Sequence, residues 1–151
     1  MAHELGYIYA VMMDGDGQHA PEDLPRFIAE VDATGASLIV GNRMGDSGQM
    51  PWLRRQVNRF MSWVLSQAAG QLLPDSQCGY RLVHLDTWIG LHTDARRFEF
   101  DSELLLAFTR AGNAIRFVPV SVIYGAEHSK ISPVKDTVRW FKWLWRVRHH
   151  S

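Results

Sequence analysis

Only one cysteine, Cys78, occurs in the 151 residues, which excludes an intrachain disulfide and fits a reducing compartment. Neither sign of charge prevails, because sixteen Lys and Arg face sixteen Asp and Glu. The chain as a whole therefore sets up no field that would draw nucleic acid or an anionic surface, and any such preference must come from local clusters. No nucleic-acid partner is expected. No apolar run reaches the roughly eighteen residues that a membrane-spanning helix needs. The opening Met1-Ala2-His3-Glu4 lacks the basic start and apolar stretch of a secretory signal, so cytoplasmic exposure is the expectation. Linkers rich in Pro, Gly and Ser, low-complexity tracts and internal periods are also missing, which excludes disordered and repeat architectures.

What is present suits a globule. With 46% of its residues apolar and 21% charged, a chain this long buries one core, so a single domain over residues 1–151 is expected. Tyr7 to Met13 form an apolar run rich in β-formers that ends at Asp14-Gly15-Asp16-Gly17, which predicts a buried strand entering a turn. Pro21 suits a first helical turn, and Leu24, Phe27, Ile28 and Val31 recur at helical spacing up to a stop near Gly35. Ser37 to Gly41 predict a second buried strand. From Trp52 to Ala69, the positions of Val57, Phe60, Met61, Val64, Leu65 and Ala68 predict a long helix stopped by Gly70.

Gln77 to Arg81 read as a loop leading through Leu82 and Val83 into a short helix around Thr87 to Leu91. Phe98 to Phe100 look extended, with Asp101 or Ser102 placed to cap a helix from Glu103 to Ala111. Ala114 to Tyr124 predict a strand with Val118, Val120 and Val122 on one face, and Pro119 within it argues for an edge or a bulge. Asp136 would cap a last helix rich in tryptophan. Strands alternating with helices imply an α/β fold with a mainly parallel sheet flanked by helices, whose ligands bind at the carboxyl ends of strands.

Asp14 and Asp16 fall at such an end. Two carboxylates separated by one glycine can both face a hard divalent cation such as Mg2+ or Mn2+, the glycine permitting a tight turn and leaving room for phosphates. Gln18 adds a neutral oxygen and His19 a nitrogen. An ordinary Asp-Gly turn with no ligand remains the alternative. A calcium loop of the EF-hand kind is excluded, because counting from Asp14 its sixth position is His19 and its twelfth is Pro25. Cys78 is read as a small buried filler without chemistry.

The segment Asp14-Gly15-Asp16-Gly17-Gln18-His19 followed by Pro21-Glu22-Asp23 resembles the metal-binding segment of family-two glycosyltransferases that act on polyprenyl phosphates. Further segments resemble that family in order: Ile39-Val40-Gly41-Asn42-Arg43, then Asp75-Ser76-Gln77-Cys78-Gly79-Tyr80-Arg81, then Phe98 to Glu103, and finally His128 to Pro133 with Asp136 to Arg139. The likeness runs from about Gly6 to Arg139. It implies a partial GT-A fold in which Asp14, Asp16 and Gln18 hold Mg2+ or Mn2+ against the diphosphate of a nucleotide sugar, while a dolichyl or polyprenyl phosphate attacks the sugar. A lipid phosphate is already anionic near neutral pH, so it needs positioning and relief of charge repulsion more than a general base. Arg43, Arg81, Lys130 and Arg139 stand in the matching segments with cations suited to phosphate, although a surface charge or a structural ion pair is the plainer reading of each alone. Asp75, Asp101, Glu99 and Glu103 would orient the acceptor or those arginines.

Residues 136–149 interleave Arg139, Lys142, Arg146 and Arg148 with Trp140, Phe141, Trp143, Leu144, Trp145 and Val147. That helix would either lie in a membrane interface or pack Trp140, Trp143, Leu144 and Val147 on the sheet. The sequence shows no Pro-x-Tyr-Asn-Glu-like turn and no strand-helix unit ahead of Tyr7, which hold the base and ribose in the family. The expected consequences are weak or absent donor binding by this chain alone, and an exposed sheet edge that self-associates or takes a complementary segment. The alternative to an enzyme is a non-catalytic relative acting as a membrane-associated or partner-binding module.

Overall fold

The computed structural model describes residues 2–45, 50–91, 93, 99–123 and 139–145. Four strands form one sheet: β1 (Tyr9–Met12), β2 (Leu38–Asn42), β3 (Arg81–His84) and β4 (Ile115–Pro119). The helices are α1 (Leu24–Thr34), α2 (Trp52–Ala69), α3 (Leu85–Ile89), α4 (Phe100–Arg110) and α5, residues 139–145. Among the described residues, no helix is long and apolar enough to cross a membrane.

The strand order is β1-β3-β2-β4. β2 and β4 run parallel, whereas β3 lies antiparallel to both β1 and β2. The α/β architecture of a sheet flanked by helices is as expected, but the mainly parallel pairing is corrected to a mixed one. The source of the difference is β3, a four-residue strand (Arg-Leu-Val-His) that is too short to show a period. Its reversed direction brings its first residue, Arg81, to the end of the sheet where β1, β2 and β4 finish, opposite Met12 on one side and Val40 on the other.

Successive side chains of a strand face opposite ways, and Leu38, Ile39 and Val40 of β2 are all fully buried. Both faces of the sheet are therefore covered at β2. α1 packs on β2 and β4, and α2 packs against α4; Phe27, Met61, Leu65, Leu104, Leu105 and Phe108 supply much of the core. α1 and α2 stop where expected, at Gly35 and Gly70, each in the left-handed conformation that glycine adopts at little cost. β4 is an edge strand ending in Pro119, as its proline requires.

Two local expectations are corrected. β1 is the other edge and is only half-buried, with Tyr7, Ile8 and Val11 exposed, because among the described strands it pairs only with β3. α4 begins at Phe100 and no side chain caps it; Asp101 lies inside its first turn and serves an arginine instead. In α5, Trp140, Trp143 and Leu144 are buried while Phe141 and Trp145 are exposed, so the helix both packs on the core and offers an aromatic face. Val147 and the remainder of residues 136–149, like Lys130 and the segment from His128 to Pro133, lie outside the described residues.

Candidate active site

The finishing ends of β1, β2 and β4 and the starting end of β3 meet at one end of the sheet. β1 leads into Asp14, β2 into Arg43, and the loop before β3 supplies Asp75 to Tyr80. Asp14 leans over this loop: a Cβ on Gly79 would stand 2.7 Å from the carboxylate carbon of Asp14, so only glycine leaves the carboxylate its place. His19 approaches from the other side, its Nε2 3.3 Å from Asp14 Oδ2 and its ring 5.2 Å from that of Tyr80. The His19 hydrogen bond holds the Asp14 carboxyl below its ordinary pKa, against the opposing effect of burial and with help from the charges of His19, Arg43 and Arg81. Among the described residues, Nδ1 of His19 is buried without a hydrogen-bond partner.

Asp16 and Gln18 are held more lightly. The turn is closed by Asp16 Oδ1, which accepts a bond of 3.0 Å from the backbone N–H of Gln18, the Asx arrangement that short acidic turns favour. The glycine that takes positive φ is Gly17, at 70°, not Gly15. The tight turn therefore follows the second carboxylate and leaves Asp14 in line with β1.

Beneath this turn lies a buried polar lattice. Asp75 is wholly buried and accepts bonds from Arg43 Nε and Nη2, each 2.8 Å, from the Arg43 backbone N–H at 3.0 Å, and from Asn58 Nδ2 at 2.8 Å. Burial disfavours its charge, but the Arg43 bonds and charge and the Asn58 amide outweigh that, and the carboxyl stays below its ordinary range. Arg81, also fully buried, donates to the carbonyls of Cys78, Ser76 and Asp101 and pairs with Asp101 Oδ1 at 3.1 Å. Ser62 on α2 bonds Asn58 and Ser76, Gln77 bonds Ser76 and Ser102, and the Trp140 indole of α5 donates to Ser102 at 2.8 Å. The same lattice thus joins β2, α2, the loop before β3, α4 and α5. Cys78 is buried within it, and desolvation pushes its thiol up to about 11, so it is protonated and inert near neutral pH.

The sequence profile of glycosyl transferase family 2 matches residues 3–87, more than half of the chain. The chain belongs to glycosyl transferase family 2. Over 128 residues it is 31% identical to the UDP-N-acetylglucosamine–dolichyl-phosphate N-acetylglucosaminyltransferase of Methanococcus voltae, covering 82% of this chain and 51% of that protein. It is 32% identical over 126 residues to the undecaprenyl-phosphate mannosyltransferase of Micrococcus luteus, covering 80% and 51%. It is 30% identical over 122 residues to the polyprenol monophosphomannose synthase of Mycolicibacterium smegmatis, covering 77% and 46%. The chain spans about half the length of these curated relatives, and its mixed four-stranded sheet flanked by helices is consistent with part of a GT-A fold.

Within this family 2 chain, the structure separates the residues singled out by sequence into three groups. Asp14, Asp16 and Gln18 share the turn after β1. Arg43, Asp75, Arg81 and Asp101 lie below it, with the donors of Arg81 directed at protein acceptors and Arg43 locked on Asp75. Arg139 pairs with Glu99, Nε to Oε1 at 2.9 Å, beside the α4 start and away from the turn's own bonds. Sequence reading missed Asn58 and Ser62 altogether, and Ser102, a cap candidate in sequence, is instead a lattice member that bonds Gln77 and Trp140. A signal existed for Asn58 and Ser62, which are one turn apart on the α2 face that carries Met61 and Leu65, and polar residues on a buried face must have buried partners.

Proposed function

We propose that this chain forms the diphosphate-facing part of a glycosyltransferase that moves a sugar from a GDP- or UDP-linked donor to a polyprenyl or dolichyl phosphate, working at the cytoplasmic face of a membrane. The observation that carries this reading is the Asp14-to-Gln18 turn, seated on Gly79 at the strand ends of a family 2 chain whose relatives are named for lipid-phosphate acceptors. The donor set fits Mg2+ or Mn2+ in kind, since Asp14 and Asp16 offer hard carboxylate oxygens and Gln18 an amide oxygen. Among the described residues, no three His, Cys, Asp or Glu side chains surround one point, so phosphate oxygens must complete the shell. A divalent ion bound there supplies neutralising charge to the departing diphosphate.

The chain's own residues do the rest by position. His19 and Gly79 fix the Asp14 carboxylate, and Asp75 with Arg43 braces the end of β2. Arg81 ties the loop before β3 to the start of α4 through Asp101. In this reading Arg43 and Arg81 also lend positive potential to a site that must bring two anions together, and Arg139 and Lys130 are the further cations offered to the lipid phosphate. No general base is required, because the attacking phosphate oxygen is already deprotonated.

A second reading, a non-catalytic relative that binds a partner or membrane, draws on the engagement of both Arg43 and Arg81 with protein groups and on the exposed β1 edge. Calorimetric titration of the chain with GDP and UDP, with and without MnCl2, separates the two. The transferase reading expects metal-dependent binding that Asp16→Ala weakens at least about tenfold. Binding that ignores both the metal and the substitution would overturn it and favour the second reading.

A further inference from the structure

Helices on a globular core turn their large apolar side chains inward, and α2 does so with Met61 and Leu65. Its opposite face breaks the rule. Trp52, Phe60 and Trp63 recur at spacings of eight and three residues, which places them on one face of the helix, and they are 71%, 47% and 59% exposed. Leu53 borders that face and is exposed too. The Phe60 ring lies 6.1 Å from Trp63 and 5.9 Å from Phe141 of α5. The stripe therefore continues onto a second helix, where Trp145, 64% exposed, stands one turn beyond Phe141.

The charged residues within the two helices are all basic. α2 contains Arg54, Arg55 and Arg59 and no carboxylate, while α5 contains Arg139 and Lys142 and no carboxylate. Arg59 sits one helical turn from both Arg55 and Trp63, so it flanks the rings. Arg54 lies on the side of Asn58 and Met61, and Arg139 is paired with Glu99, so Arg55, Arg59 and Lys142 are the basic residues that border the rings, with no carboxylate on either helix, a local excess in a chain whose net charge is zero.

We infer that the outer face of α2 and α5 docks on an anionic lipid bilayer. Indole and phenyl rings partition to headgroup depth, where an apolar body and a polar rim are both satisfied, and the flanking guanidinium and ammonium groups meet lipid phosphates. A second copy of this chain is the poorer occupant, because it would bring two basic faces together without carboxylates between them. The inference deepens the lipid-phosphate reading above by giving the chain a way to reach a membrane-held acceptor, and its test needs neither donor nor metal. Failure of sugar transfer and failure of docking are thus distinguishable.

The experiment is co-sedimentation of the intact chain with vesicles of pure phosphatidylcholine and with vesicles carrying phosphatidylglycerol, read together with tryptophan emission. The expected result is binding to the anionic vesicles with a blue shift of emission, and little binding to the neutral ones. Trp63→Ser should abolish most of the shift. Arg59→Gln should weaken binding about fivefold, as loss of one basic group near such a surface implies. Both side chains are on the surface, and unchanged circular dichroism and thermal midpoint verify the fold. Absence of binding to anionic vesicles would overturn the inference, as would binding that survives both substitutions. Concentration-dependent self-association without lipid, abolished by Trp63→Ser, would also overturn it and assign the face to a protein interface.

Discussion

The Asp14–Asp16 turn and the Asp75 lattice are both acidic and neighbour one another at the same end of the sheet, yet they are built in opposite ways. Asp75 is sealed from water and accepts four hydrogen bonds, from Arg43 and Asn58. Asp14 is held by one histidine and by its seat on Gly79, and Asp16 by one backbone N–H. A carboxylate whose lone pairs are all engaged inside a protein is a structural strut. One with an uncommitted oxygen and access to solvent can accept a ligand. The difference is in how many bonds the fold commits to each group, which a count of acidic residues does not reveal.

The contrast is broken most severely by Asp75→Ala. This substitution leaves the Arg43 guanidinium buried without its counter-charge, and breaking such a pair costs about 3–5 kcal/mol, measurable by urea denaturation. The same bond gives a pH signature. Because the folded-state pKa of Asp75 lies below 3.8, its contribution is fully present above the ordinary carboxylate range and is lost as pH falls through the lowered value. Acid denaturation should therefore steepen below about pH 4, and the Asp75→Asn variant should show a shallower dependence there.

Gly79→Ala should act the other way, with a smaller effect on folding and a larger one on ligand. The new Cβ displaces the Asp14 carboxylate, an exposed group that can swing aside. Metal-dependent nucleotide binding should fall about tenfold or more, while the denaturation midpoint moves modestly. A large loss of stability with intact binding would reverse the roles assigned to the two regions. The smallest structural effect belongs to Asp16→Ala, which removes the bond to the Gln18 N–H in an exposed turn. No resolvable change in the urea midpoint is expected, and a substantial one would show that the turn is part of the scaffold.

Much of the architecture was legible from local pattern. The bounds of α2, its stop at Gly70, the stop of α1 at Gly35 and the edge position implied by Pro119 are set by side-chain period and by the backbone limits of glycine and proline. β3 was not legible, because four residues between a loop and a short helix carry no period, and missing it made the sheet seem mainly parallel. At the site, the ordered motifs fall on loops that meet at one end of the sheet, but they do not reveal the state of each side chain. Arg81 reads in sequence as a phosphate grip, whereas its partners in the fold are mostly backbone carbonyls, and any residue could supply those. In sequence Asp101 stands open between a helix cap and an arginine partner, since a capping oxygen and an ion-pair oxygen are the same atom until a partner is near, and the fold pairs it with Arg81.

By itself, then, the sequence determined the family, the α/β class, the acidic turn after the first strand and the amphipathic helices, because each rests on residues close together in the chain. Only the tertiary structure decided which carboxylates are struts and which remain open, that β3 runs against its neighbours, and that the aromatic residues of α2 and α5 share one outer face. Those outcomes depend on which distant groups meet, and burial and hydrogen bonding, not spacing along the chain, set their energies.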